Sequence, residues 1–100
     1  MTRIEQWTHV SFQSEIVKQA RRLGWKPQYF WHNIHSPKGW LDLVLARPES
    51  SRLIFAELKM PKDYVSKEQQ EWIDVWKQYK WVEVYVWRPD DWDEILKILK

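Results

Sequence analysis

Residues 39–59 read GWLDLVLARPESSRLIFAELK: two apolar runs around a short polar turn, with Asp42, Glu57 and Lys59 set into the runs. Leu41 to Arg47 and Arg52 to Lys59 are rich in Leu, Val, Ile and Phe, and Pro48, Glu49, Ser50 and Ser51 supply turn chemistry between them. The stretch therefore reads as a β-hairpin. Apolar residues fall on both faces of both strands, as they do in strands central to a sheet. With the turn centred between Glu49 and Ser50, antiparallel pairing sets Arg47 opposite Arg52, Val44 opposite Phe55 and Asp42 opposite Glu57.

Side chains alternate across a strand, so Lys59 points the same way as Glu57 while Ala56 and Leu58 point the other way. An acid, a second acid and an amine thus converge on one face. Two carboxylates about 5 Å apart repel unless something positive lies between them, and a divalent cation relieves that repulsion. Two other readings are open at this level. The charges are solvated groups on a half-exposed hairpin, or Lys59 neutralises Glu57 as a buried ion pair with no metal. The apolar setting of both strands weighs against solvated charge.

The pattern Gly39-x-x-Asp42 followed by Glu57-x-Lys59 resembles the core of the PD-(D/E)XK nucleases. The longer blocks GWLDLVLARP, LIFAELK, VSKEQQEW and VEVYVWRPDDWDEI resemble the small VRR-NUC branch, in the right order and over most of the chain. Leu41 stands where that family usually has the Pro of its Pro-Asp pair. The resemblance implies a restriction-endonuclease-like α/β fold with a mixed sheet, an αβββαβ core and a C-terminal helix. It also implies a metal-dependent endonuclease acting on DNA, with four-way junctions or other branched DNA as substrate and a homodimer as the working unit.

Within that resemblance, Asp42, Glu57 and the main-chain carbonyl of Leu58 hold the metal, and Lys59 orients the water or stabilises the phosphate. Oxygen ligands without Cys or clustered His favour a hard ion, Mg²⁺ with Mn²⁺ as substitute, over zinc. The family often has an acid in the first helix. Here His9 and Ser11 stand in those places and Glu15 is the nearest acid, so His9 and Glu15 are carried as further metal candidates. Ser66, Gln69 and Trp72 match the S-x-x-Q-x-x-W pattern of the family, in which the Gln lies close to the catalytic site. Helix capping by Ser66 and Gln69 explains the same residues without catalysis. Expected nucleic-acid contacts are His32, His35 and Lys38, before the hairpin, and Lys62, Ser66 and Lys67 after it. A lone His on an apolar strand is more often a packed, hydrogen-bonded core residue, and His32 reads so before it reads as a phosphate contact.

The periodicity around the hairpin gives the rest of the chain. Val10, Ile16, Val17, Ala20 and Leu23 recur at helical spacing over Thr8 to Leu23, with Gln13 on the same inward face, and Gly24 ends the helix. Gln28 to Ile34 reads as an aromatic-rich strand. Ser66 caps a helix running to about Tyr79 with Trp72, Ile73 and Trp76 on its apolar side. Val82, Val84 and Val86 alternate with Glu83 and Tyr85 as a fourth strand. Pro89 and the acids Asp90, Asp91, Asp93 and Glu94 then open a last helix with Ile95, Leu96 and Leu99 inward. The order is α-β-β-β-α-β-α.

One hundred residues with 44% hydrophobic content make a single domain, 1–100, with little core to spare. Cys 0 excludes disulfides and thiolate metal sites. No apolar run reaches membrane-spanning length and MTRIEQWTHV has no signal-peptide core, so no membrane partner is expected and the chain is expected in the cytoplasm. A net charge of +2 is too small for binding nucleic acid by bulk charge, so contact must come from local clusters such as Lys18, Arg21, Arg22 and Lys26. With 9 Trp residues, wide rings are expected both in the core and along a surface groove. Trp7, Trp81 and Trp92, near element ends, are candidates for a dimer interface. A non-catalytic nucleic-acid-binding module on the same fold is the competing function.

Overall fold

The structure, a computed structural model, describes residues 4–29 and 39–100. Helix α1 spans His9–Arg22. Thr8 caps it: its extended backbone frees the side chain to accept the Ser11 N–H at 3.2 Å, while Thr8 N–H donates to Ser11 Oγ at 2.8 Å. The helix stops at Gly24, whose φ of +89° is open only to glycine without strain. Its buried face is Phe12, Gln13, Ile16, Val17 and Ala20. Gln13 lies inward as the spacing requires, but Val10 is exposed. Val10 sits about 200° round the helix from Phe12, and the larger ring takes the inward direction.

Strand β1 is Lys26–Tyr29, β2 is Leu43–Arg47, β3 is Arg52–Leu58 and β4 is Val82–Trp87, in the spatial order β1-β2-β3-β4. The hairpin strands are thus the two central ones. β2 pairs antiparallel with β1 and β3, and β3 pairs parallel with β4, so the sheet is mixed. The register has Val44 opposite Phe55 and Arg47 opposite Arg52, and one further step sets Asp42 opposite Glu57. β1 begins earlier than the aromatic pattern indicates and contains Pro27, which an edge strand tolerates because its outer N–H has no ladder partner. The remainder of the expected strand, 30–34, lies outside the described residues.

One face of the sheet carries the core. Leu43, Leu45, Ile54, Ala56 and Leu58 are buried against Phe12, Ile16 and Ala20 of α1 and against Ile95 and Leu99 of α3, Trp92–Leu99. Each such Leu or Ile contributes roughly 1.5–3 kcal/mol. Trp7 also belongs to this core, and Trp92 packs edge-on to it at 4.9 Å. Trp7 is thus taken up by the core and Trp92 is half-buried against it, because the turn before α1 folds onto α3; Trp81 alone of the three is exposed. The opposite face is covered by α2, Lys67–Trp76, through Ile73 and a Phe55–Trp76 ring contact at 4.8 Å. Val44 and Phe55 remain half-buried there.

The like charges Arg47 and Arg52, facing each other at the turn end, are both stabilised. Their guanidinium carbons lie 4.6 and 4.9 Å from the centre of the Trp25 ring. Arg47 Nη1 and Trp25 Nε1 donate to the Leu99 carbonyl at 3.0 and 2.8 Å, and Arg52 Nη1 donates to the Ile98 carbonyl at 2.9 Å. Cations at a helix C-terminus meet its negative dipole end, so α3 locks the turn. Among the described residues no helix is long and apolar enough to cross a membrane.

Candidate active site

The far end of the hairpin holds the acids. Lys59 N–H donates to the Trp87 carbonyl at 2.9 Å, which turns the N–H and C=O of Leu58 away from β4 and toward β2. The β2 ladder starts only at Leu43, and the Asp42 side chain supplies the missing rung: Asp42 Oδ2 accepts the Leu58 N–H at 2.9 Å. His9, the first residue of α1, places Nε2 3.3 Å from the same oxygen. Burial works to raise the Asp42 carboxyl, but the bonds from His9 and from the Leu58 N–H outweigh it and hold Asp42 below its usual range. The same bond to Asp42 raises His9 against the opposing effect of burial.

Glu57 differs. Its side chain is buried, and among the described residues neither Oε1 nor Oε2 has a hydrogen-bond partner. Lys59 Nζ lies 3.9 Å from Oε2, inside ion-pair range and beyond a hydrogen bond. Burial first, and then the close approach and charge of Asp42, push the Glu57 carboxyl up, with Lys59 opposing. The two acids influence each other's protonation, with Glu57 keeping the proton, yet no hydrogen bond between them meets the distance and angle a bond requires. A buried carboxyl without partners costs on the order of 1–3 kcal/mol or more, which a proton relieves in part and a bound cation relieves further.

Among the described residues no three His, Asp or Glu side chains gather as a cage for an ion. The oxygens on hand are both of Glu57, the Oδ1 of Asp42, whose hydrogen bonds with described residues fall on Oδ2, and the Leu58 carbonyl directed toward β2. That donor set is all oxygen and incomplete by itself, which fits an ion that keeps several waters and takes further ligands from a phosphate, the habit of Mg²⁺.

The other expected residues distribute as follows. Ser66 and Gln69 form a reciprocal cap on α2: the Ser66 N–H donates to Gln69 Oε1 at 3.0 Å and the Gln69 N–H to Ser66 Oγ at 3.1 Å. Gln69 makes no hydrogen bond to Asp42, Glu57 or Lys59, so the cap accounts for its contacts. Lys62 and Lys67 are exposed on either side of the α2 cap. Glu15, half-buried in the middle of α1, is not grouped with the acid pair, whereas His9 is. His32, His35 and Lys38 lie outside the described residues. The Leu58 N–H that positions Asp42 is not legible in the sequence, because the apolar pattern runs back to Leu41, the residue in register with Leu58, while the β2 ladder begins only at Leu43.

A four-stranded mixed sheet flanked by helices, with a buried acid pair and a lysine at one end of its central strands, defines a nuclease-type α/β domain with a restriction-endonuclease-like core. The VRR-NUC domain model matches residues 2–88, and the chain belongs to the VRR-NUC family. Comparison with curated proteins and with solved structures gave no match. The match ends before α3, although Ile95 and Leu99 of that helix are fully buried in the common core.

Proposed function

We propose that this chain is a divalent-metal-dependent DNA endonuclease in which Asp42, Glu57 and the Leu58 carbonyl hold Mg²⁺ or Mn²⁺ and Lys59 faces the scissile phosphate. The observation that carries this reading is the Glu57 carboxyl, buried beside Asp42 with neither oxygen hydrogen-bonded to any described residue. A structural ion pair would leave Glu57 satisfied; at 3.9 Å Lys59 does not satisfy it. A module that only binds nucleic acid has no use for the pair at all.

Bound at these oxygens, the ion supplies charge neutralisation and an acidified water. The residues do the remaining work. His9 and the Leu58 N–H fix the Asp42 carboxylate in one orientation and keep it ionised. Glu57 yields its proton when it becomes a ligand. Lys59, held on the Glu57 face by strand alternation, stabilises charge developing on the phosphate or orients the attacking water. Gln69 can act only through its Nε2, since Oε1 is engaged in the cap.

The substrate we assign is branched DNA, including four-way junctions, bound by a homodimer. One face of a 100-residue domain with a net charge of +2 offers little surface for a duplex, and a two-fold pair doubles it. The test is a panel of labelled four-way junction, flap and linear duplex of one sequence, with Mg²⁺, Mn²⁺ or excess chelator and Lys59→Ala as control, alongside light scattering. Cutting of branched forms by a dimer, silent in chelator, is expected. Undiminished cutting in chelator overturns the metal role, and a monomer cutting linear duplex equally well overturns the substrate.

A further inference from the structure

An apolar groove of about 110 Å³ lies between α2 and the sheet, walled by Trp40, Val44, Phe55, Trp72 and Trp76 with hardly a polar atom. It is open to solvent, for Trp40 and Trp72 are 45% and 42% exposed. From this groove we infer that the protein takes one unpaired nucleobase of the DNA strand whose phosphate lies at the acid pair, stacking it on Trp72. The inference rests on the nuclease reading and adds to it the form of the substrate at the cut.

Position is the first ground. Val44 is two residues from Asp42 on β2, and Phe55 is two residues from Glu57 on β3, so groove and acids share one sheet face about 7 Å apart. That is the reach of a base from its own backbone. Chemistry is the second. Walls of ring carbon repel phosphate and sugar but match the flat face of any base, and such stacking is tolerant of sequence. Size is the third: the groove is smaller than the dry cavity of about 150 Å³ that encloses one benzene ring, so, open on one side, it can seat the face of a single base and is too small for a helix or strand of a partner. Within a duplex the bases face inward, so only an unpaired or extruded nucleotide can enter.

The groove is also built to keep its shape. Trp72 and Trp76 are stacked at 5.7 Å with 27° between planes, ready to be extended by another ring. At Gly39 the backbone comes so close to α2 that a Cβ would sit 2.6 Å from the Glu68 carbonyl oxygen and 2.8 Å from Trp72 Cδ1. Lys67, at the start of the helix that carries both Trp residues, is exposed to meet the neighbouring backbone charge.

The test uses the intact chain in excess chelator and a flap oligonucleotide with 2-aminopurine as the unpaired base at the branch. Quenching of its fluorescence is expected with the wild type and with Glu57→Gln. It should be lost in Trp72→Ala, restored in Trp72→Phe, and unchanged in Trp81→Ala, whose ring is 80% exposed and outside the groove. An abasic nucleotide at that place should bind the wild type on the order of tenfold more weakly and Trp72→Ala no differently from the parent oligonucleotide. Equal wild-type affinity for base and abasic forms, or full quenching by Trp72→Ala, overturns the inference. Quenching that depends on Trp72, without cutting under any metal, sustains the groove and overturns the nuclease reading; cutting without such quenching does the reverse.

Discussion

Asp42 Oδ2 accepts the Leu58 N–H at 2.9 Å, so the side chain just before one central strand closes the hydrogen bond that the main chain of its partner strand leaves open. The same bond fixes the Asp42 carboxylate beside Glu57, and the two acids then behave differently. Asp42 is hydrogen-bonded and readily ionised, while Glu57 is buried, without a hydrogen-bond partner among the described residues, and holds its proton.

Replacing any of the three charged groups should abolish cutting, and the stability changes should separate them. Glu57→Gln removes a buried acid without partners and should leave the metal-free protein equal or higher in Tm. Asp42→Asn keeps one acceptor for Leu58 but loses the charge that meets His9, and should cost about 1 kcal/mol. Lys59→Ala should fold with near-native stability. Urea unfolding and junction cleavage measure both sides; a Glu57→Gln protein that cuts at the wild-type rate would refute the site.

The pH dependence of stability in chelator follows from Glu57. Its carboxyl is raised in the folded protein above the ordinary 4.5, chiefly by burial, so folding takes up a proton wherever the unfolded chain is ionised. The contribution of the protonated group is complete below that ordinary value and is lost as pH rises toward and through the folded one. The Tm advantage of Glu57→Gln over the wild type should therefore widen from pH 4.5, the ordinary value, toward about 9, the folded one. A constant gap would show that Glu57 does not titrate this way.

Mg²⁺ and Mn²⁺ should raise the Tm of the wild type and not of Glu57→Gln. A ligand at about 100 times its Kd adds about 2.7 kcal/mol to a protein that binds it only when folded. Because Glu57 must lose its proton to become a ligand, the shift should shrink in mild acid. Thermal melts with and without metal read this directly, and identical melts of the wild type in both would exclude the ion from the site.

Gly39→Ala should be among the most damaging small substitutions. The position has φ +83°, and the added carbon would press on the Glu68 backbone and on Trp72. A loss of about 2 kcal/mol or more is expected, with weaker stacking at Trp72. An alanine variant with wild-type unfolding would mean that the loop before β2 yields freely.

At the opposite end, Trp25→Ala should cost roughly 3–5 kcal/mol, since it removes a buried ring, two guanidinium contacts and the Leu99 hydrogen bond together. Trp25→Phe should cost much less, because Arg47 still donates to Leu99. Equal losses for the two would show that the Nε1 bond, and not ring packing, secures α3.

Several features of this protein follow from local pattern alone. The symmetric apolar runs about Glu49 and Ser50 determine the hairpin register, Glu57 and Lys59 share a face because strand side chains alternate, and Ser66 with Gln69 specifies the start of α2. Exposure does not follow from pattern, because it depends on which element covers each face. Trp72 and Ile73 are equally apolar in sequence, yet one is 42% exposed and the other 1%. Trp7 lies in the core, with Trp92 half-buried against it, only because the turn before α1 folds against α3, and Val10 gives way to Phe12 for the same kind of reason. His9 meets Asp42 across 33 residues through the placement of α1 on the sheet, and Glu57 lacks a hydrogen-bond partner among the described residues, with the Lys59 amine only in ion-pair range. Sequence period thus determined the elements and the pairing of the acids; burial and the long-range hydrogen bonds, decided by tertiary packing, gave those acids their different protonation and chemistry.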